Sequence, residues 1–181
     1  MLWQRSTTKK IKKEMINTYN LFAVPVVHGK FIVSTNIHQK ILNFVDKNYS
    51  VSEEKISCIN GFQTHEDFDG KQELHKELNT YLNNSFKVNI ESEWLNVLGK
   101  NSYNKPHQHA GNNITHSGVL YLSSENNNII LAREDQTFEI KPKLFDFIIF
   151  PYNLVHYVLP EERNEKRICY AFNLTKLEKG E

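Results

Sequence analysis

Apolar residues recur along this chain with two different periods, and the change falls near Val88. Upstream, Ile37, Ile41, Phe44 and Val45 sit at i, i+4, i+7 and i+8, the stripe of an amphipathic helix. Asn36 can cap it, with Gln39 at the capping-box position. Leu74, Leu78, Tyr81 and Leu82 repeat the stripe after the loop residues Asp69-Gly70. Both stripes read as core-facing surfaces. Asn60-Gly61 between them is a turn signal. Further upstream, Leu21 to Val27 is apolar and β-branched, with Pro25 marking an edge or a strand end.

From Val88 onward short β-rich segments follow one another: Val88 to Leu98, Ser117 to Leu122, Ile129 to Ala132, Thr137 to Ile140, Phe145 to Phe150, Leu154 to Leu159 and Arg167 to Leu174. Polar turns separate them and no helix intervenes. That spacing indicates an antiparallel sandwich or barrel. Helices first and strands afterwards predict an α+β fold, mainly β, with the helices against one sheet.

Alternation sorts the faces of these strands. His156 shares one with Leu154 and Val158, an inward apolar face. On the last strand Ile168, Tyr170, Phe172 and Leu174 form one face, and Arg167, Cys169, Ala171 and Asn173 the other. A charge beside small residues suits the lining of a barrel mouth. Phe-Asp-Phe-Ile-Ile-Phe, ending at Phe150, reads as a strand buried on both sides.

Composition narrows the function classes. The 181 residues suit one domain, and 22 basic against 21 acidic residues leave a formal charge of +1. No overall field draws the chain to nucleic acid or membrane, and duplex DNA is the least favoured target. The basic run Lys9-Lys10-Ile11-Lys12-Lys13 reads as a solvated terminus, with a weak polyanion contact as the alternative. No segment resembles a membrane span or a signal peptide. Cys58 and Cys169 are the only cysteines and suggest reduced thiols in a cytoplasmic compartment.

The candidate chemistry lies in His107-Gln108-His109, His156 and Arg167. Histidines at i and i+2 leave an extended strand on the same side, and a third from a distant strand can close a facial set. Imidazole suits Fe(II), Zn(II), Cu(II) and Ni(II) alike. Three protein ligands leave positions open, as a catalytic site requires. Arg167 follows eleven positions after His156, one short hairpin away. His28, His38, His65, His75 and His116 are scattered, and His116 reads as a loop or strand-edge residue. Trp3 falls in the terminus, and Trp94 reads as core or as a substrate platform.

The pieces Trp94-Leu-Asn-Val, Tyr103-Asn-Lys-Pro-His-Gln-His, Ser117-Gly-Val-Leu-Tyr-Leu, Phe150-Pro-Tyr-Asn-Leu-Val-His and Arg167-Ile-Cys-Tyr-Ala-Phe-Asn carry a resemblance, joined upstream by Asn60-Gly-Phe-Gln-Thr. Together they resemble the 2-oxoglutarate- and Fe(II)-dependent oxygenases. More narrowly they resemble a prolyl-hydroxylase-like group with a His-x-His motif, found in marine bacteria and their phages. The resemblance covers roughly Asn60 to Leu174. It implies a double-stranded β-helix (jelly-roll or cupin-like) core over residues 88–175, buttressed by a helical and strand region over residues 1–87, in a single domain of residues 1–181.

Carried over by position, the resemblance makes His107, His109 and His156 ligands of Fe(II). Arg167 would bind the distal carboxylate of 2-oxoglutarate, which a planar guanidinium can pair bidentately. Most of the superfamily has a carboxylate where His109 stands. The neutral imidazole raises the charge of the site by one. Tyr121 matches a tyrosine that hydrogen-bonds the same carboxylate, although a core tyrosine reads equally well there. Asn96 and Asn173 are further candidates for the cofactor pocket, and each could instead satisfy backbone groups. Cys169 occupies a place where many members have serine. The implied activity is a dioxygenase that hydroxylates a peptidyl or small-molecule substrate with release of succinate and carbon dioxide. The alternatives are a cupin-type three-histidine dioxygenase without 2-oxoglutarate, a non-catalytic jelly-roll binding module, and a zinc hydrolase, for which no nearby general base is evident.

Overall fold

The helical stripe at Ile37–Val45 folds as α1 (Thr35–Asn48), and the stripe at Leu74–Leu82 as α2 (Lys71–Phe86). These positions come from a computed structural model. It describes residues 17–176 apart from 22–23, 52–53, 56, 65, 125–126 and 161. Trp3, the Lys9–Lys13 run and His65 therefore lie outside the described residues. The cap of α1 is Ser34, two residues before the expected Asn36, and its Oγ accepts from the Ile37 N–H. Ser34 still has extended backbone angles, so its hydroxyl can turn back onto the first turn. Asn36 is already inside the helix. α2 starts after Gly70, whose φ of +91° favours a residue without a Cβ.

The strands are β1 (Asn17–Leu21), β2 (Val24–Lys30), β3 (Glu54–Lys55), β4 (Cys58–Ile59), β5 (Phe62–Thr64), β6 (Val88–Leu98), β7 (Tyr103–His107), β8 (His116–Tyr121), β9 (Ile129–Arg133), β10 (Gln136–Ile140), β11 (Asp146–Pro151), β12 (Val155–Val158) and β13 (Arg167–Lys176). They form two antiparallel sheets. One has seven strands in the order β1-β2-β11-β8-β13-β6-β5, the other six in the order β10-β9-β12-β7-β4-β3. The seven segments expected from Val88 onward are all strands, displaced at their ends by one or two residues.

Upstream of Val88 the expectation needs correction. Leu21 to Val27 is not one strand: Leu21 pairs with Val24 across a hairpin that joins β1 to β2. Pro25 pairs only with Asn20 of β1, because the pairing of β2 with β11 reaches no further than Val27. Its missing N–H is harmless there. β1, β2 and β5 join the seven-stranded sheet, and β3 and β4 the six-stranded one. Residues before Val88 thus build both sheets as well as the helices.

Two apolar layers follow from the faces. Ile37, Ile41, Leu74, Leu78 and Leu82 pack with Leu95, Leu120, Phe147, Ile168, Tyr170, Phe172 and Leu174, so both helices cover the outer face of the seven-stranded sheet. A second cluster with Val26, Tyr121, Leu131, Ile148, Phe150 and Cys169 lies between the sheets. β11 contributes to both, as a strand buried on both sides must. Both cysteines are buried, and neither helix is long and apolar enough to cross a membrane.

Gly118 of β8 lies opposite Phe172 of β13, whose fully buried ring covers it. A Cβ at Gly118 would fall 2.2 Å from Phe172 Cε2. The ring sits in the packed helix-facing layer and has nowhere to go. Gly118→Ala is therefore expected to lower unfolding stability by about 1–3 kcal/mol, the usual range for an overpacked core. Urea denaturation of the two proteins checks this through a lower midpoint at unchanged slope.

Candidate metal centre

His107 ends β7 and His156 lies on β12, where the two are register partners. Their ring centroids are 4.1 Å apart. His109 is no longer on the strand. The expectation that both histidines of His-x-His leave one extended segment side by side is thus corrected: β7 stops at His107, and the loop beyond it is fixed by the His109 N–H donating to Tyr152 O. The His109 ring still lies 5.4 Å from His107 and 5.1 Å from His156. One nitrogen from each ring lies within 4.8 Å of the other two. The rings are held from outside as well. Phe150 packs 4.6 Å from His156, and Trp94 packs 5.6 Å from His109.

Every Nδ1 has a neutral oxygen partner. His107 faces Lys105 O at 2.9 Å and His156 faces Leu154 O at 3.0 Å. His109 faces Asn173 Oδ1 at 2.5 Å and Ser117 Oγ at 2.8 Å. A carbonyl oxygen only accepts, so in each ring Nδ1 carries the hydrogen and Nε2 keeps its lone pair. Burial reinforces this state by lowering the proton affinity of His107 and His109, and most of all that of His156. Three neutral nitrogen donors, each oriented through its other nitrogen, fit a divalent transition metal.

The pocket beside the imidazoles contains about 480 Å³ of empty space, part of it open to solvent, and is lined by Trp94, Asn96, Asn104, Phe150, Arg167 and Cys169 among others. Arg167 is 3% exposed. Its Nη2 donates to Tyr121 Oη at 3.4 Å, and its guanidinium lies 5.1 Å from the Tyr121 ring centroid. Its Nε has no hydrogen-bond partner, and among the described residues no carboxylate pairs with it. An isolated buried cation costs several kcal/mol. One long hydrogen bond and a cation–π contact of about 0.5–2 kcal/mol do not offset that.

The remaining candidates take different places. Asn96 lines the pocket, and its Nδ2 donates to Asn104 Oδ1 at 3.1 Å. Tyr121 is fully buried and touches the pocket through Arg167. Asn173 contacts His109, Ser117 and Ser92 rather than backbone. Trp94 both lines the pocket and packs on His109. His28 pairs with Asp146, His38 with Leu122 O, and His75 stands beside Glu93, so these three stay away from the centre. His116 opens β8 and bonds Thr115 Oγ1. Sequence reasoning missed Ser117, Ser92 and Asn104. Ser117 and Ser92 left a trace, since Ser117 alternates with Val119 and Tyr121 on β8 and Ser92 with Trp94 and Asn96 on β6.

No family model matches the sequence, and no curated protein matches it either. Solved structures do. A prolyl-4-hydroxylase from Pseudomonas putida superposes with a TM-score of 0.58 at 12% identity, over 84% of this chain and 93% of that one. A viral collagen prolyl hydroxylase from Paramecium bursaria Chlorella virus-1, in complex with 2-oxoglutarate, gives 0.56 at 16% identity, over 83% and 96%. HygX from Streptomyces hygroscopicus, with nickel, 2-oxoglutarate and hygromycin B bound, gives 0.60 at 8% identity, over 84% and 83%. The chain has the fold of these proteins.

The buried neutral imidazoles make stability depend on pH. Unfolded, they protonate near their ordinary value of about 6.5; folded, they resist protonation. The unfolded state therefore binds more protons as the pH drops below that value. Stability is complete above it and declines beneath it. The metal-free protein should show a melting temperature that falls between about pH 7 and pH 5. His156→Phe, which removes the most deeply buried of the three, should make that fall shallower. Calorimetry across the range checks both, and equal slopes for the two proteins would contradict the assignment.

Proposed function

We propose that this protein is a mononuclear non-haem Fe(II)- and 2-oxoglutarate-dependent dioxygenase, built on a double-stranded β-helix, that hydroxylates a peptidyl or small-molecule substrate. The observation that carries the reading is one pocket holding both three converging neutral imidazoles and a buried guanidinium with no anionic partner among the described residues. The first is a metal site with open positions; the second calls for a carboxylate. The prolyl hydroxylases with this fold favour a peptidyl substrate, and the structure holding hygromycin B favours a small molecule.

In this reading His107, His109 and His156 would hold Fe(II). Bound together, Fe(II) and 2-oxoglutarate supply the coupling of dioxygen reduction and oxidative decarboxylation, which yields succinate and carbon dioxide, to hydroxylation of a substrate C–H bond. Arg167 pairs with the distal carboxylate of the co-substrate and sets its direction along the pocket. Tyr121 keeps the guanidinium in place through its hydroxyl and ring. Its phenol stays protonated, since burial raises its pKa far above neutrality. Trp94 and Phe150 keep water away from the imidazoles. None of the three ligands brings a negative charge, so the dianionic co-substrate meets a full divalent charge and the arginine together.

Succinate release on adding Fe(II) and 2-oxoglutarate under air tests the reading. Arg167→Leu should abolish it and leave metal binding intact, whereas His156→Ala should abolish both. 2-Oxoglutarate added to the metal-loaded protein should raise the melting temperature of the wild type and leave Arg167→Leu unmoved. Without ligand, Arg167→Leu should be at least as stable as the wild type, because it removes an unpaired buried charge. Dioxygen consumption by the wild type without succinate release would point to a three-histidine dioxygenase that does not use this co-substrate, and undiminished succinate release by Arg167→Leu would remove Arg167 from the anchoring role. Absence of metal binding by the wild type would defeat the proposal outright.

A further inference from the structure

The three imidazoles are not held in the same way. His107 and His156 each bond the carbonyl two residues back, Lys105 O and Leu154 O. Those are local contacts that any strand-borne histidine can make. His109 has left the strand, and its Nδ1 is met only by side chains of β13 and β8. Asn173 Nδ2 donates to Ser92 Oγ at 3.0 Å, which turns Oδ1 toward His109. Ser117 Oγ donates to the same Oδ1 at 2.9 Å and lies 2.8 Å from His109 Nδ1. Ser92, Ser117 and Asn173 belong to the seven-stranded sheet, while His107 and His156 belong to the six-stranded one.

We propose that Asn173, aligned by Ser92 and Ser117, is the positioning residue for the third metal ligand: it fixes the ring orientation and tautomer of His109 across the sandwich and so sets how firmly the centre keeps its metal. This rests on the metal centre proposed above. An amide that offers only an oxygen to Nδ1 forces the hydrogen onto that nitrogen and directs the Nε2 lone pair at the other two rings. Without it the ring can rotate, or shift its hydrogen to Nε2, and either change withdraws a ligand. Asn173 is buried and lines no part of the pocket, so its place is behind the ligand rather than against substrate.

The test is calorimetric titration of metal-free protein with Co(II) alone, with the visible Co(II) spectrum as a second readout. Asn173→Leu keeps the volume and removes the acceptor. It should bind about 10–100-fold more weakly, as is usual when a partner of a ligand imidazole is lost, with a changed spectrum. Asn173→Asp keeps an oxygen facing Nδ1 and should recover at least wild-type affinity, since a carboxylate partner raises the basicity of the ring. A role confined to packing would leave the spectrum of Asn173→Leu unaltered. Should that variant fail to fold, Ser117→Ala serves, with a several-fold loss of affinity expected and unchanged affinity overturning the proposal. Equal binding by Asn173→Leu and wild type, or failure of Asn173→Asp to restore binding, overturns the positioning role alone. A wild type that binds no Co(II) overturns the metal centre beneath it.

Discussion

The last strand, β13, stands between two different media, and the placement of the site follows from which of its faces meets which. Ile168, Tyr170, Phe172 and Leu174 are buried beneath the two helices. Side chains of that size contribute about 1.5–3 kcal/mol each on burial, which exceeds the several kcal/mol lost by burying one unpaired cation. The apolar face therefore decides the orientation. Because strand side chains alternate with period two, the same choice sends Arg167, Cys169, Ala171 and Asn173 inward, and a slip of one residue would reverse all eight. β6 and β8 flank this strand and are locked to it through long antiparallel registers. Ser92, Trp94 and Asn96 on one side and Ser117 and Tyr121 on the other inherit their positions from it.

The cost left over from that choice is concentrated at Arg167. A folded protein normally pairs a buried charge or moves it to the surface. Here the helix-facing layer holds the strand in register, and the guanidinium remains in the cavity with a phenol and, among the described residues, no anion. Such a residue is a liability to the empty protein, and in the function proposed above it is the anchor for a carboxylate. Strain that the fold tolerates because other contacts over-determine it is the usual mark of a binding site.

Much of this was legible in the residue pattern, and the exceptions have physical reasons. Both helix stripes and the strands from Val88 onward could be read from their apolar patterns, apart from β7, whose five residues Tyr103–His107 are mostly polar. The inward turn of Arg167 and His156 could be read from alternation alone. The short strands before Val88 could not, since two or three residues such as Glu54–Lys55 carry no period and are ordered by their neighbours. Ser34 lost the cap position to Asn36 on paper because either residue type can cap a helix, and backbone angles choose between them. His109 was placed on a strand because His-x-His fits one. The chain instead leaves β7 at His107, and a backbone bond to Tyr152 brings the second imidazole round. Asn173 was legible as inward-facing. That it meets a histidine 64 positions earlier is a fact of sheet order, which no local pattern encodes.

The neutral character of the centre now has a structural cause beyond the histidine at position 109. A carboxylate against a ligand's Nδ1 would draw its proton and give the ring anionic character. The four oxygens that meet these rings, those of Lys105, Leu154, Asn173 and Ser117, are all uncharged. Neither the ligands nor their partners therefore supply negative charge to a bound divalent ion. Arg167 adds a further positive charge to the same pocket. In the function proposed above, the balancing charge arrives with the co-substrate, a small dicarboxylate that offers one carboxylate to the metal and one to the guanidinium. Asn173 matters to this balance as much as His109 does, because an amide orients the ring without charging it.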